Sequence, residues 1–187
     1  MDFLITLWAP ILLSAVFVFV VSSIIHMMLQ YHKNDFKKFA NEDAVMEALR
    51  KFELPQGDYL VPCAGSAKAM KSPEFIENMK KGPVFTMTVM KPGSPEMGSS
   101  LALWFVYCLI VSVFAAYVGI HAAPPGSHYL SVFRFVGCSA FMGYALALMQ
   151  NSIWYKRNWG ATLRSMFDGL IYALVTAGTF GWLWPRM

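Results

Sequence analysis

Cys63, His26, His32, Arg134 and Asp168 are the residues of this sequence whose types and surroundings could do chemistry. Cys63 stands in the run Val61-Pro62-Cys63-Ala64-Gly65-Ser66. A nucleophilic thiol needs a lowered pKa and a base beside it. The run supplies no base, so Cys63 reads as an ordinary small thiol. The three cysteines form no Cys-x-x-Cys pair, which leaves zinc and dithiol redox chemistry without support. Cys108 and Cys138 lie in apolar runs and read as packing residues. His26 and His32 are six residues apart, about 240° of rotation on a continuing helix. They then point to different faces and form no metal pair by themselves. His121 and His128 lie across the apolar segments from them, so no matched pair for a haem is evident. The 13 methionines scatter through every segment and suit core filling rather than a copper motif. Neither a metal nor a cofactor is expected.

Arg134 and Asp168 interrupt runs that are otherwise apolar. An ionisable residue inside a membrane segment is a functional candidate by default. Arg134 lies about one turn from one predicted membrane face and Asp168 about one turn from the other, too far apart to pair. Arg134 can extend its guanidinium to the headgroups. Asp168 can pair with Arg164, one turn earlier.

The elements that must position these residues are long and apolar. The chain of 187 residues is 57% hydrophobic and 14% charged, with a mean hydropathy of +0.47. Soluble domains carry about 25% charge. The apolar excess falls into four runs: Phe3 to about Leu29, Leu101 to about Ile120, Leu130 to Met149, and about Met166 to Trp184. Each approaches the roughly 20 residues that a helix needs to cross a bilayer. Asp2 stands where a signal peptide has basic residues, so the first run is read as an uncleaved helix. The expected fold is membrane α-helical. A transmembrane helix occupies residues 1–30, and three more lie in 100–187, at about 101–120, 130–149 and 166–184. A small α+β cytoplasmic insertion, residues 31–99, separates helices 1 and 2.

Charge gives the orientation. Of 15 basic residues, ten lie in 31–99 and three in 150–165. The positive-inside rule puts both segments in the cytoplasm and both termini outside. Trp8, Trp182 and Trp184 then fall at the outer boundary, and Trp104, Trp154 and Trp159 at the inner one. Such interfacial belts favour an amphipathic ring.

Within 31–99, nine acidic residues nearly balance the ten basic ones. Asn41 is an N-cap before Glu42 and Asp43, and Val45, Ala48, Leu49 and Phe52 share a helical face. Asp58 to Val61 reads as a strand. Ser72-Pro73-Glu74 opens a helix that Gly82 closes. Pro83 to Met90 alternates as a half-buried strand, and Pro92, Gly93 and Pro95 make a linker. So small a unit buries little by itself, so it needs a membrane surface or a partner.

Small residues mark helix seams. Gly169, Ala173, Ala177 and Gly181 recur at i+4 in the fourth run, and Ser139, Gly143 and Ala147 in the third. Such stripes let backbones approach closely in lipid. The two stripes are expected to face each other, because a short loop joins antiparallel neighbours.

The runs Asp168-Gly169-Leu170-Ile171-Tyr172-Ala173-Leu174 and Gly181-Trp182-Leu183-Trp184-Pro185, with Asn41 to Leu54 and Pro73 to Pro83, resemble uncharacterised bacterial four-span inner-membrane proteins of similar length. The resemblance implies a bacterial inner-membrane location and a four-span layout, and carries over no activity. The first functional expectation is a non-enzymatic accessory or scaffolding component. It would be embedded in the lipid bilayer and engaged with a protein partner or a second copy, and no nucleic acid is expected. A small oligomeric solute or ion transporter using Asp168 or Arg134 comes second. A membrane enzyme using Cys63 comes third.

Overall fold

A computed structural model describes residues 2–94 and 97–186, so Pro95 of the expected linker lies outside them. The chain divides into two compact units. One joins Met1–Phe36 to Glu96–Met187, and the other is Lys37–Pro95.

The first unit is helical. A short helix α1 (Asp2–Thr6) runs into α2 (Trp8–Met28) with a break at Leu7. Pro10 accounts for the break, because its ring crowds the carbonyl four residues earlier. The other long helices are α5 (Gly98–Ala122), α6 (Tyr129–Tyr144) and α8 (Trp159–Trp182). After Tyr144 the third run does not continue as one helix. A 3-10 turn at Leu146–Leu148 leads into a short helix, α7 (Met149–Ile153). Among the described residues, three helices are long and apolar enough to cross a membrane: Trp8–Met28, Gly98–Ala122 and Tyr129–Ile153, the last counted through that turn.

The four long helices close a ring, with α2 against α5, α5 against α6, α6 against α8, and α8 back on α2. Their buried residues recur at helical spacing. Ile11, Ala15 and Val18 come from α2, and Cys108, Val111 and Ala115 from α5. Val132, Val136 and Ala140 come from α6, and Ala173, Ala177 and Phe180 from α8. A polar contact crosses this interior between the Ser14 and Ser112 hydroxyls at 3.0 Å. At one end of the ring the Trp184 indole donates to the Pro124 carbonyl at 3.3 Å.

Glycine positions show how tightly α6 and α8 meet. A Cβ at Gly169 would lie 2.9 Å from Ala145 Cβ and 3.0 Å from the Tyr144 carbonyl oxygen. One at Gly181 would lie 2.6 Å from the Tyr129 ring, and one at Gly137 would lie 3.1 Å from Ala177 Cβ. The small stripe of α8 is therefore met by Tyr129, Gly137, Tyr144 and Ala145. The partners expected from sequence differ. Gly143 lies against Val111 of α5, and Ala147 is exposed. The helix break after Tyr144 shifts the register beyond it, and α6 has two neighbours between which its small residues are divided.

The second unit holds α3 (Glu42–Arg50), β1 (Gly57–Val61), α4 (Pro73–Lys81) and β2 (Phe85–Val89). Asn41 caps α3 through Ala44 N at 3.4 Å, and Ser72 caps α4 through Phe75 N at 3.2 Å. Gly82 ends α4 at φ +61°, the left-handed region that favours glycine. The strands pair antiparallel, from Gly57 opposite Val89 to Val61 opposite Phe85. No described residue from 37 to 94 is buried.

Candidate functional site

Polar side chains converge where α2 ends and α8 begins. The apolar run stops at Leu29, and the backbone there turns extended (φ −92°, ψ 108°). A 3-10 turn, Gln30–His32, then folds the chain back over the last turn of α2. This places His32 on His26, with the rings parallel to within 8° and centroids 5.0 Å apart. The 240° separation holds only for a continuing helix, and the helix has ended. Tyr31, His32 and Asp35 thereby belong to the helical unit, and the expected 31–99 insertion loses its first six residues to it.

From α8 come Arg164 and Asp168, one turn apart and on one face. They do not pair with each other as expected. The Arg164 Nε and Nη2 atoms donate to Asp35 Oδ1 at 2.8 and 2.5 Å. The Asp168 carboxylate accepts from the Tyr31 hydroxyl and faces His32 Nε2 at 2.8 Å. The other nitrogen of His32, Nδ1, lies 2.7 Å from Asp35 Oδ2. The chain Arg164–Asp35–His32–Asp168–Tyr31 thus ties the end of α2 to the start of α8. The Asp35 and Asp168 side chains are only 6% and 4% exposed.

Electrostatics follow from the partners. Burial pushes the Asp35 carboxyl upward, but the bonds to His32 and Arg164 and their positive charge outweigh it and hold Asp35 below its ordinary value. Burial, and then the bond to Asp168, raises the Tyr31 hydroxyl, so it stays a donor. His32 faces a carboxylate at each ring nitrogen, Asp35 at Nδ1 and Asp168 at Nε2.

His26 is exposed, and its Nδ1 lies 3.0 Å from the Ser22 carbonyl oxygen of its own helix. One ligand-type atom from each of His26, His32 and Asp168 lies within 4.8 Å of the other two. Beneath the cluster lies an aromatic layer. Trp104 of α5 donates to Ser22 Oγ at 2.8 Å and meets the Tyr172 ring at 5.8 Å, and Tyr172 meets Tyr144 at 5.6 Å. Tyr172 is one turn beyond Asp168, and its hydroxyl is buried with no hydrogen-bond partner among the described residues.

Of the residues singled out from sequence, His26 and Asp168 come together here. Arg134 does not. It is exposed on α6 and forms no ion pair among the described residues. Cys63 is exposed beyond β1 in the second unit. Tyr31, Asp35 and Arg164 complete the cluster, and sequence reasoning did not single out the first two. Their signal was the polar run Tyr31-His32-Lys33-Asn34-Asp35, directly after an apolar helix. No protein-family model, no curated protein and no solved structure matches this chain.

Proposed function

We propose that this is a four-span protein of the bacterial inner membrane, a non-enzymatic accessory component that presents the 37–95 unit to a protein partner in the cytoplasm. The observation that carries the reading is an uncovered apolar groove on that unit. Met46, Leu49 and Leu54 on one side and Met87, Val89 and Met90 on the other line a space of about 880 Å³. An apolar surface of this kind marks an interaction site, and methionines accommodate varied partner side chains. The groove is rimmed by Arg50, Glu53 and Lys91, charges of both signs. A surface built for anionic lipid is polybasic, so a protein segment with an apolar face is the better occupant.

The alternative, a transporter, has less support. The ring interior is closed by small apolar side chains and the Ser14–Ser112 contact. Asp168 is held by Tyr31 and His32 at the end of the ring, and Arg134 sits on the outer surface of α6. The fourth span is α8, whose two charges lie in its first turns, within reach of the cytoplasmic headgroups. The orientation rests on the basic residues of 31–99 and 150–165.

A photo-crosslinking residue at Met46 or Met87, in intact cells, tests the reading. The expected result is one recurrent protein adduct, absent from position 77 and abolished by Leu49→Glu. Adducts to lipid alone, or ion flux through the purified protein in vesicles, would overturn it. An adduct between two copies would replace the foreign partner with self-association. For orientation, an impermeant thiol reagent in a variant without native cysteines should label position 125 and not position 68.

A further inference from the structure

We infer that His26, His32 and Asp168 bind a divalent first-row transition-metal ion of the zinc class, at the end of the helical unit where α2 meets α8. The inference stands on this cluster alone and is independent of the groove on the other unit. The three candidate ligand atoms already lie within 4.8 Å of one another. Ligands bonded to a tetrahedral ion at about 2.0–2.2 Å sit roughly 3.3 Å apart. Closing the gap asks for a small inward movement. The exposed His26 side chain and the 3-10 turn that carries His32 can supply it.

The surroundings match what a metal-binding histidine requires. A ligating imidazole donates its other N–H to a carbonyl or carboxylate, which fixes the tautomer and turns the free nitrogen to the metal. His26 has Nδ1 on the Ser22 carbonyl, and His32 has Nδ1 on the Asp35 carboxylate. Both Nε2 atoms are thereby left as ligands. Asp35 is itself fixed by Arg164, and Asp168 by Tyr31. His32 Nε2 also faces the Asp168 carboxylate at 2.8 Å, so the two groups already converge on one point.

Two imidazoles and one carboxylate select the ion. Hard cations such as calcium and magnesium take oxygen ligands, whereas imidazole suits zinc and its neighbours. Three protein ligands leave a position for water. The Tyr172 hydroxyl, buried and unpartnered among the described residues, lies on the same face of α8 one turn from Asp168. Access runs past His26, the exposed member of the three.

The test uses the full chain in detergent, stripped with chelator and then equilibrated with zinc(II) or cobalt(II). Bound metal is counted by mass spectrometry, and the cobalt ligand field is read by visible absorption. The expected result is one ion per chain, with a cobalt spectrum of nitrogen and oxygen ligands. His26→Gln should weaken binding at least as much as the roughly 10–100-fold that loss of an outer-sphere partner costs. His26 is exposed, and among the described residues it hydrogen-bonds its own helix backbone and stacks on His32, so this variant keeps the fold, and an unchanged thermal midpoint of the stripped protein verifies that. Asp35→Asn should weaken binding within that same range. The inference is overturned if the wild type binds no more zinc than His26→Gln. It is equally overturned if binding survives His26→Gln and is lost on replacing His121 and His128.

Discussion

Asp35→Ala should destabilise the helical unit by about 3 kcal/mol. The carboxylate is 6% exposed and holds two cationic groups, Arg164 through two donors and His32 through Nδ1. Removing it leaves those groups facing a hole, and breaking a buried pair costs about 3–5 kcal/mol. The Arg164 side chain is 34% exposed and can turn toward water, which places the loss at the lower end. That is roughly two powers of ten in the folding equilibrium. Asp35→Asn keeps an acceptor for Arg164 and fills the space, so it should cost less. The assay is denaturant titration of the purified protein in mild detergent, followed by tryptophan fluorescence. A double-mutant cycle with Arg164→Ala separates pairing from packing, with an expected coupling of about 1–3 kcal/mol. A loss below about 0.5 kcal/mol, the level of an ordinary surface change, would refute the reasoning. It would mean that Asp35 is solvated and the cluster is not formed.

Three further outcomes follow from the same geometry. Gly169→Ala should destabilise more than Gly181→Ala, because its new methyl meets the fixed Tyr144 carbonyl whereas the other meets the movable Tyr129 ring. Overpacking costs about 1–3 kcal/mol and exceeds the roughly 1 kcal/mol that alanine gains in a helix; equal thermal midpoints for the two variants would count against it. Because the Asp35 carboxyl is held below its ordinary value of 3.8, its stabilisation is complete above that pH and is lost as pH falls through the lowered value. Chelator-treated wild type should therefore lose stability in acid more steeply than Asp35→Asn, and parallel pH profiles would refute this. Cys63→Ser should leave abundance and partner crosslinking unchanged, and loss of the crosslink at normal abundance would bring the thiol back into consideration.

The helical core was legible because its signal is local. Apolar residues at 3.6-residue spacing and the caps at Asn41 and Ser72 depend on near neighbours only. The existence of both strands and the starts of α3 and α4 were readable on the same grounds, whereas the pairing of the strands was not. The cluster was not legible as a whole. Placing His26 and His32 on different faces assumed a helix through residue 32, and the reversal at Leu29 removes that assumption. Arg164 and Asp168 looked like an i,i+4 pair, but each found a stronger partner more than 120 residues away. Which small residue of α6 faces α8 was equally hidden, since α6 touches two helices and sequence spacing does not choose between them.

The span of chain between Asp35 and Arg164, 129 residues, also sets an order of events during biosynthesis. At roughly 5–20 residues per second, Asp35 is synthesised about 6 to 26 s before its arginine. Throughout that interval Asp35 has His32 but no arginine, and the end of α2 can dock on α5 but not on α8. A nascent chain interrupted before residue 164 would leave the Asp35 carboxylate without its arginine, whatever the state of its other helices. The cluster is therefore completed only once translation has reached α8.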